Sequence, residues 1–270
     1  GRPGLYALRP APVQCTYLGY PSTTGLHAMD WRITDWIADP DGFDDFYTER
    51  LFRLPGCFLC YHGSLNMSAV ATSPAAHRGS VTFCSFNNAA KIQPETIRLW
   101  ASVLSKTPGT RMVLKAKAIS NSHISATILE KFAREGIKAD RIEIRGYSES
   151  VIDHMAMYAD VDIALDTWPY NGTTTSCEAL WMGVPVVSLS GPVHASRVGA
   201  TILRAVGLGS LAVDTPAAFV RIAGTLAADI VKLARLRAGL RNAMSHSDLC
   251  NAEQFAKSFG EAIEKMVHAN

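Results

Sequence analysis

The chain has 270 residues with a formal net charge of +2; 48% of its residues are hydrophobic and 19% are charged. That balance allows a sizeable packed core and is too mild for nucleic acid or an anionic membrane to be the main partner. No apolar run approaches the roughly 18 residues that span a bilayer, and no secretory leader is visible at the N-terminus.

The first 75 residues are dense in turn signals. "PAPVQCTYLGYPSTTG" is rich in Pro, Gly and Thr, and "WRITDWIADPDGFDDFYTERLFRLPG" is acidic and aromatic. Cys57 and Cys60 form a single C-x-x-C beside His62. A structural zinc site needs a second pair, which the chain lacks, so a buried strand end is the expected reading. The six cysteines are scattered through apolar segments, which reads as reduced thiols in a cytoplasmic protein. "MSAVATSPAAHRGS" (67–80) reads as a linker.

From residue 81 the pattern alternates. Strands are predicted at "VTFCSF" (81–86), "RMVLKAKA" (111–118), "RIEIRGY" (141–147), "VDIALD" (161–166) and "VPVVSL" (184–189). Helices fall between them. "PETIRLWASVLSK" puts Ile97, Trp100 and Leu104 on one face behind Pro94, and "SATILEKFAREG" puts Ile128, Leu129 and Phe132 on one face and stops at Gly136. "SVIDHMAMYA" and "TSCEALWMG" complete the set. Single helices between strands mean βαβ units and a parallel sheet covered on both faces. After Gly191 three or four helices are expected, at "SRVGATILRAVG", in one or two pieces across 216–247, and at "AEQFAKSFGEAIEKMVHA". The chain starts without a Met and is expected to be a piece of something longer: the end of one domain (1–66), a linker (67–80) and an α/β domain (81–270).

Ligands of open parallel sheets sit beyond the carboxyl ends of the strands. Three such ends carry unusual residues: "FNNAAK" with Asn87, Asn88 and Lys91; "GYSESVIDH" with His154; and "DTWPYNGTTTSCE". In the last, Gly172 permits close backbone approach, and Thr173, Thr174 and Thr175 place hydroxyls beside the free N–H groups of a helix start, where an anion is favoured. Lys91 adds a full positive charge, a combination suited to a diphosphate. The other reading needs no ligand: Thr175-Ser-Cys-Glu178 fits a T-x-x-E capping box. No G-x-G-x-x-G fingerprint or Walker phosphate loop is present. Asp160-Val-Asp162 has the form of a metal-holding D-x-D, but it opens a buried strand, so Asp162 reads as a flank.

"FNNAAKI", "DHMAMYADVDIALDTWPYNGTTTSCEALWMGVPVVSLSG" and "HASRVGATIL" closely resemble the catalytic region of the O-GlcNAc transferase family and its bacterial homologues; "LRPAPVQCTYLGYPSTTG" and "MDWRITDWIADP" resemble the end of that family's N-terminal catalytic lobe. The resemblance covers nearly the whole chain. It implies a GT-B fold, with this chain supplying the end of the first lobe and a complete second Rossmann-like lobe. It also implies an inverting, metal-independent transferase, without a cofactor, that moves a sugar, expected to be GlcNAc, from a UDP-sugar to Ser/Thr hydroxyls of an acceptor protein. By the same resemblance Lys91 holds the diphosphate, with Asn88 at a neighbouring polar position. Thr174 and Thr175 bind phosphate from the helix start, Glu178 holds the ribose hydroxyls, His154 stacks on the uracil, and Gly19 contacts the sugar through its backbone. The well-known animal enzyme differs: it has Gln where this chain has Asn88, Lys for Val151, Arg for Met157 and His for Thr173. The family's catalytic histidine and its helical repeats fall before residue 1. Alternatives are transfer of glucose or galactose to asparagine, a UDP-binding fragment without activity, and an epimerase or hydrolase of nucleotide-sugars.

Overall fold

The computed structural model describes residues 3–63 and 67–269. A short helix α1 (Pro3–Ala7) precedes three strands, β1 (Cys15–Thr16), β2 (Trp31–Asp35) and β3 (Arg50–Leu54), and a short helix α2 (Pro74–Arg78). Alternating elements follow: β4 (Thr82–Ser85), α3 (Pro94–Lys106), β5 (Arg111–Lys115), α4 (Ser122–Arg134), β6 (Ile142–Arg145), α5 (Val151–Ala156), β7 (Ile163–Leu165), α6 (Thr174–Trp181), β8 (Val186–Leu189), α7 (Val198–Ala205) and β9 (Ala212–Val213). Helices α8 (Pro216–Ala228), α9 (Ile230–Ser245) and α10 (Ala252–His268) close the chain.

The α/β expectation holds. Strands β1, β2 and β3 form a small sheet, and the second sheet runs β6-β5-β4-β7-β8-β9, with every pairing parallel. Successive strand residues point to opposite faces, and the two faces are both apolar. Phe83, Met112, Leu114, Ile163 and Leu165 pack with Ile97, Trp100, Leu104, Phe132 and Phe219 of α3, α4 and α8. Cys84 and Val113 face the other way, toward Met155, Leu180, Ile202 and Leu240 of α5, α6, α7 and α9. Strand β9 is an edge strand of two residues that the hydrophobic pattern was too short to reveal. The 216–247 segment is two helices, broken at Asp229, whose carboxylate accepts from the Lys232 N–H at 2.9 Å and so starts α9.

The small sheet joins the same core: Ile33, Leu54 and Phe58 pack in the cluster of α6 and α7. Helix α10 returns across it, with Phe255 and Phe259 at 6.5 and 5.2 Å from the Tyr17 ring.

The 67–80 stretch, expected as a linker, holds α2 and is pinned along its length. The carboxylate of Asp162 accepts from the Ser73 hydroxyl, the Ala75 N–H and the Thr82 N–H at 2.8–3.0 Å. The buried guanidinium of Arg237 donates to the carbonyls of Ala71, Val161 and Tyr158 at 2.6–2.8 Å, and Arg241 donates to Ser68 and Trp181. The buried groups that bind the segment come from distant parts of the chain. Asp162 therefore has a structural task at the amino end of β7, away from the strand ends that bind ligands, and Asp160 pairs with Arg145 at 2.9 Å.

Arg237→Met should leave three buried carbonyls without donors and cost about 3 kcal/mol or more. Urea unfolding measures this, and a change under about 0.5 kcal/mol, typical of a surface substitution, contradicts the assignment.

Candidate functional site

The chain leaves one edge of the large sheet at β6 and returns to its middle at β7, beside β4. Neighbouring connections then run to opposite sides, and a crevice opens outside the carboxyl ends of β4 and β7. Two of the three unusual strand ends predicted from sequence meet there.

At the end of β4, Asn87 and Asn88 have different tasks. Asn88 is exposed and its side-chain oxygen accepts from the Ala90 N–H at 3.0 Å, capping the turn Ala89–Lys91. Asn87 is buried and its side-chain oxygen accepts from the Thr175 hydroxyl at 2.8 Å, tying β4 to the start of α6. Lys91 Nζ donates to the Asn171 carbonyl at 2.7 Å and lies 3.8 Å from the centroid of the Tyr170 ring. Its ammonium thus meets the loop that feeds α6. Burial lowers the pKa of Lys91, and the nearby Asp166 opposes that shift.

At the end of β7, the buried carboxylate of Asp166 organises this loop. One oxygen accepts from the Thr167 and Gly172 N–H groups at 2.8 and 2.7 Å, and the other from the Ser188 hydroxyl at 2.7 Å. Asn171, also buried, donates its side-chain amide to the Thr167 carbonyl at 2.9 Å and accepts from the Gly199 N–H. Gly172 is required for space. A Cβ there would lie 2.6–2.9 Å from Ser176 Oγ, Thr175 Oγ1 and Asn87 Oδ1, so its close approach is to the protein's own oxygens.

Helix α6 starts at Thr174, with Thr173 at the cap position and without a capping hydrogen bond from its side chain. Thr174 is exposed, while the Thr175 hydroxyl is committed to Asn87. First-turn N–H groups have no acceptor inside a helix, so an anion-binding end faces the crevice beside Lys91. The expected capping box is absent. Glu178 turns away from the helix start and its Oε2 lies 3.1 Å from His154 Nε2.

His154, on α5, is held from both sides, since Lys115 Nζ lies 2.6 Å from its Nδ1. An ammonium only donates, so Nδ1 accepts and the ring proton sits on Nε2, donated to Glu178. Burial lowers the pKa of Lys115, against the charge of Glu178. These three side chains, with Phe86, Asn87, Asn88 and Val151, line a cavity of about 500 Å³. On the other side of the α6 start a second cavity of about 200 Å³ opens between the two sheets. Gly19 in a left-handed turn (φ 123°), Arg32, Tyr170, Thr173, Thr174 and His194 line it. A larger cavity of about 640 Å³ lies between α3 and α8, far from any of these strand ends.

The residues predicted from sequence therefore gather around the start of α6: Asn88, His154 and Glu178 line one cavity, Gly19, Thr173 and Thr174 the other, and Lys91, Gly172 and Thr175 belong to the loop and helix start between them. Lys115 and the pair of Asp39 and His194 (2.7 Å apart) were not singled out. A lysine in the apolar strand "RMVLK" was a usable signal for Lys115. Nothing local links Asp39 to a histidine 155 residues later. No group of three His, Cys, Asp or Glu side chains among the described residues is placed to hold a metal ion.

A sequence profile of glycosyl transferase family 41 matches residues 1–68 and 69–259. The chain is 43% identical over 263 residues to a "probable UDP-N-acetylglucosamine–peptide N-acetylglucosaminyltransferase SPINDLY" of Arabidopsis thaliana, covering 97% of this chain and 29% of the relative. It is 27% identical to the Arabidopsis relative named SEC, covering 97% and 27%. The chain thus spans less than a third of the length of these relatives. A solved Thermobaculum terrenum O-GlcNAc transferase mutant superimposes with a TM-score of 0.89 at 36% identity, over 97% of this chain and 49% of that one.

Gly172→Ala should displace the α6 start, lowering the melting temperature and weakening any anion held there. Unchanged stability and binding would contradict the close packing. Burial raises the Asp166 pKa from 3.8 to about 6, although the hydrogen bonds from Gly172, Ser188 and Thr167 and the charge of Lys91 pull it down. A raised folded pKa favours the protonated form, so this stabilisation is complete below about pH 4 and lost as pH rises through about 6. Over that interval the wild type should lose stability relative to Asp166→Asn in urea unfolding; a gain would reverse the assigned sign.

Proposed function

The chain belongs to glycosyl transferase family 41, and from that premise we propose that it forms the donor-binding part of an inverting protein glycosyltransferase. The donor is a nucleoside diphosphate sugar, expected to be UDP-GlcNAc, and the acceptor a Ser or Thr hydroxyl of a protein. The observation that carries this reading is the meeting of the Lys91 ammonium with the Tyr170–Asn171 loop at the α6 start. A cation and a helix N-terminus converge there at the switch point of a parallel sheet.

In this reading the diphosphate lies against the α6 start. The exposed Thr174 hydroxyl meets a phosphate oxygen directly, whereas Thr175, whose hydroxyl serves Asn87, contributes its N–H. The nucleoside enters the 500 Å³ cavity: Glu178 exchanges His154 for the ribose hydroxyls, and the base lies against the His154 ring. Lys115 stands behind that ring and takes part in base selection, at a site where Val151 and Met157 are apolar. The sugar extends toward Gly19.

The acceptor oxygen attacks the anomeric carbon on the face opposite the diphosphate. A new C–O bond forms as the bond to the diphosphate oxygen breaks; the nucleoside diphosphate leaves with the electron pair, and the proton of the acceptor hydroxyl passes to a general base and on to solvent. Lys91 and the α6 N–H groups stabilise the negative charge that grows on the leaving group, which supports chemistry without a divalent cation. The free thiols of all six cysteines support a reducing, cytoplasmic setting. No helix of the described residues is long and apolar enough to cross a membrane.

Lys91→Ala in the full-length protein should lower turnover on the order of 100-fold with the fold intact by circular dichroism; near-normal turnover overturns its role. UDP-GlcNAc, UDP-glucose and GDP-mannose, each offered with Ser/Thr and Asn peptides, decide base, sugar and acceptor. Activity that survives EDTA supports the metal-free mechanism, and loss of activity refutes it.

A further inference from the structure

The 200 Å³ cavity between the two sheets contains a polar pair that the donor site described above does not use. His194 is 3% exposed and lines the cavity. Its Nδ1 lies 2.7 Å from Oδ2 of Asp39, which is fully buried. The same carboxylate accepts from the hydroxyls of Thr34 and Tyr47. Burial opposes ionisation of Asp39, but the hydrogen bonds and charge of His194, with the two hydroxyls, hold its pKa below the usual value. A carboxylate with three donors only accepts, so Nδ1 carries its hydrogen and donates to Asp39. Nε2, on the far side of the ring, is then the atom left to the cavity. The Phe58 ring, 5.2 Å away and edge-on, fixes the plane of the imidazole.

Beside it Arg32 is 2% exposed, donates to the carbonyls of Tyr20 and Ser22, and has a buried Nε without a partner among the described residues. It lies 5.4 Å from the Tyr47 ring, so the buried Arg32, Asp39 and His194, with the half-buried Tyr47, form one polar wall. Such a wall is costly to fold unless its free valence has a partner. Gly19 and Thr174 line the same cavity, so His194 shares it with the α6 start, whereas His154 and Glu178, assigned to the nucleoside, line the other one.

We propose that His194 is a specificity-determining residue, its Nε2 hydrogen-bonding a hydroxyl of the transferred sugar, with Asp39 as its positioning residue. This rests on the reading of the site as a nucleotide-sugar site. A site built to hydrogen-bond one hydroxyl rejects analogues that lack it much more strongly than an apolar pocket would.

The test is calorimetry on the full-length protein with UDP against UDP-GlcNAc, and with GDP against GDP-mannose. In His194→Leu the affinity for the nucleoside diphosphate should stay within about 2-fold, while the added affinity from the sugar falls about 5- to 10-fold, the loss of one hydrogen bond. Asp39→Asn, which keeps the ring in place but frees its tautomer, should give a smaller loss of the same kind and shift the pH profile of transfer. An equal fall for nucleotide and nucleotide-sugar marks His194 as structural and overturns the inference, as does an unchanged sugar increment in both variants. If the wild type binds neither UDP nor GDP, the nucleotide-sugar reading itself fails, and this inference with it.

Discussion

A carboxylate buried among apolar strands is unstable unless nearby groups donate to it, and Asp166 receives donors from both flanks of one loop. It holds the Thr167 and Gly172 N–H groups and the Ser188 hydroxyl, so the residues between are forced into a tight arch. The arch presents the Asn171 carbonyl to Lys91 and delivers the chain to α6 at the angle that exposes Thr174. Gly172 is the consequence: three oxygens crowd the place where a side chain would start. Removing Asp166 would loosen the connection between β7 and the start of α6, and with it the meeting of the two halves of the crevice.

The second organising feature is the joint between the small and large sheets. Arg197 donates to the Ile37 carbonyl, Thr201 to Asp35, and His194 to Asp39, all from the β8–α7 region to the end of β2. The Tyr61 N–H donates to the Leu249 carbonyl, and α10 packs over Tyr17. Polar contacts at the floor of the cleft and aromatic contacts at its back fix how the Gly19 turn faces the α6 start. The Thermobaculum structure superimposes over 97% of this chain, both sheets included, and here the joint between the sheets is maintained by groups lying far apart in sequence.

Much of the large sheet was legible. Short β-branched runs bounded by turns, alternating with amphipathic helices, specify βαβ units, because each strand must bury both faces and each helix one. The faces predicted for Ile97, Trp100 and Leu104 and for Ile128 and Phe132 are the buried ones. The anchoring of the 67–80 segment was not legible, because composition reports the absence of large apolar side chains, whereas Ser73 and Ala75 are held by Asp162 and the Ala71 carbonyl by Arg237. The capping box was misread for a related reason. Glu178 has the right spacing, but His154 competes for it from another helix, and tertiary hydrogen bonds prevail over a local pattern.

The sequence by itself determined the α/β class, the parallel sheet, and the strand ends whose polar residues meet at the start of α6, since hydrophobic period and helix-start residues are local properties of the chain. Its motif resemblance identified the family, and glycosyl transferase family 41 is where the chain belongs. Tertiary structure alone decided which asparagine serves Thr175, that Lys115 backs His154, that Gly172 is a matter of space, and that Asp39 and His194 are hydrogen-bonded across the cleft. Each of those depends on distances between residues far apart in the chain, and such distances exist only once the sheets are assembled.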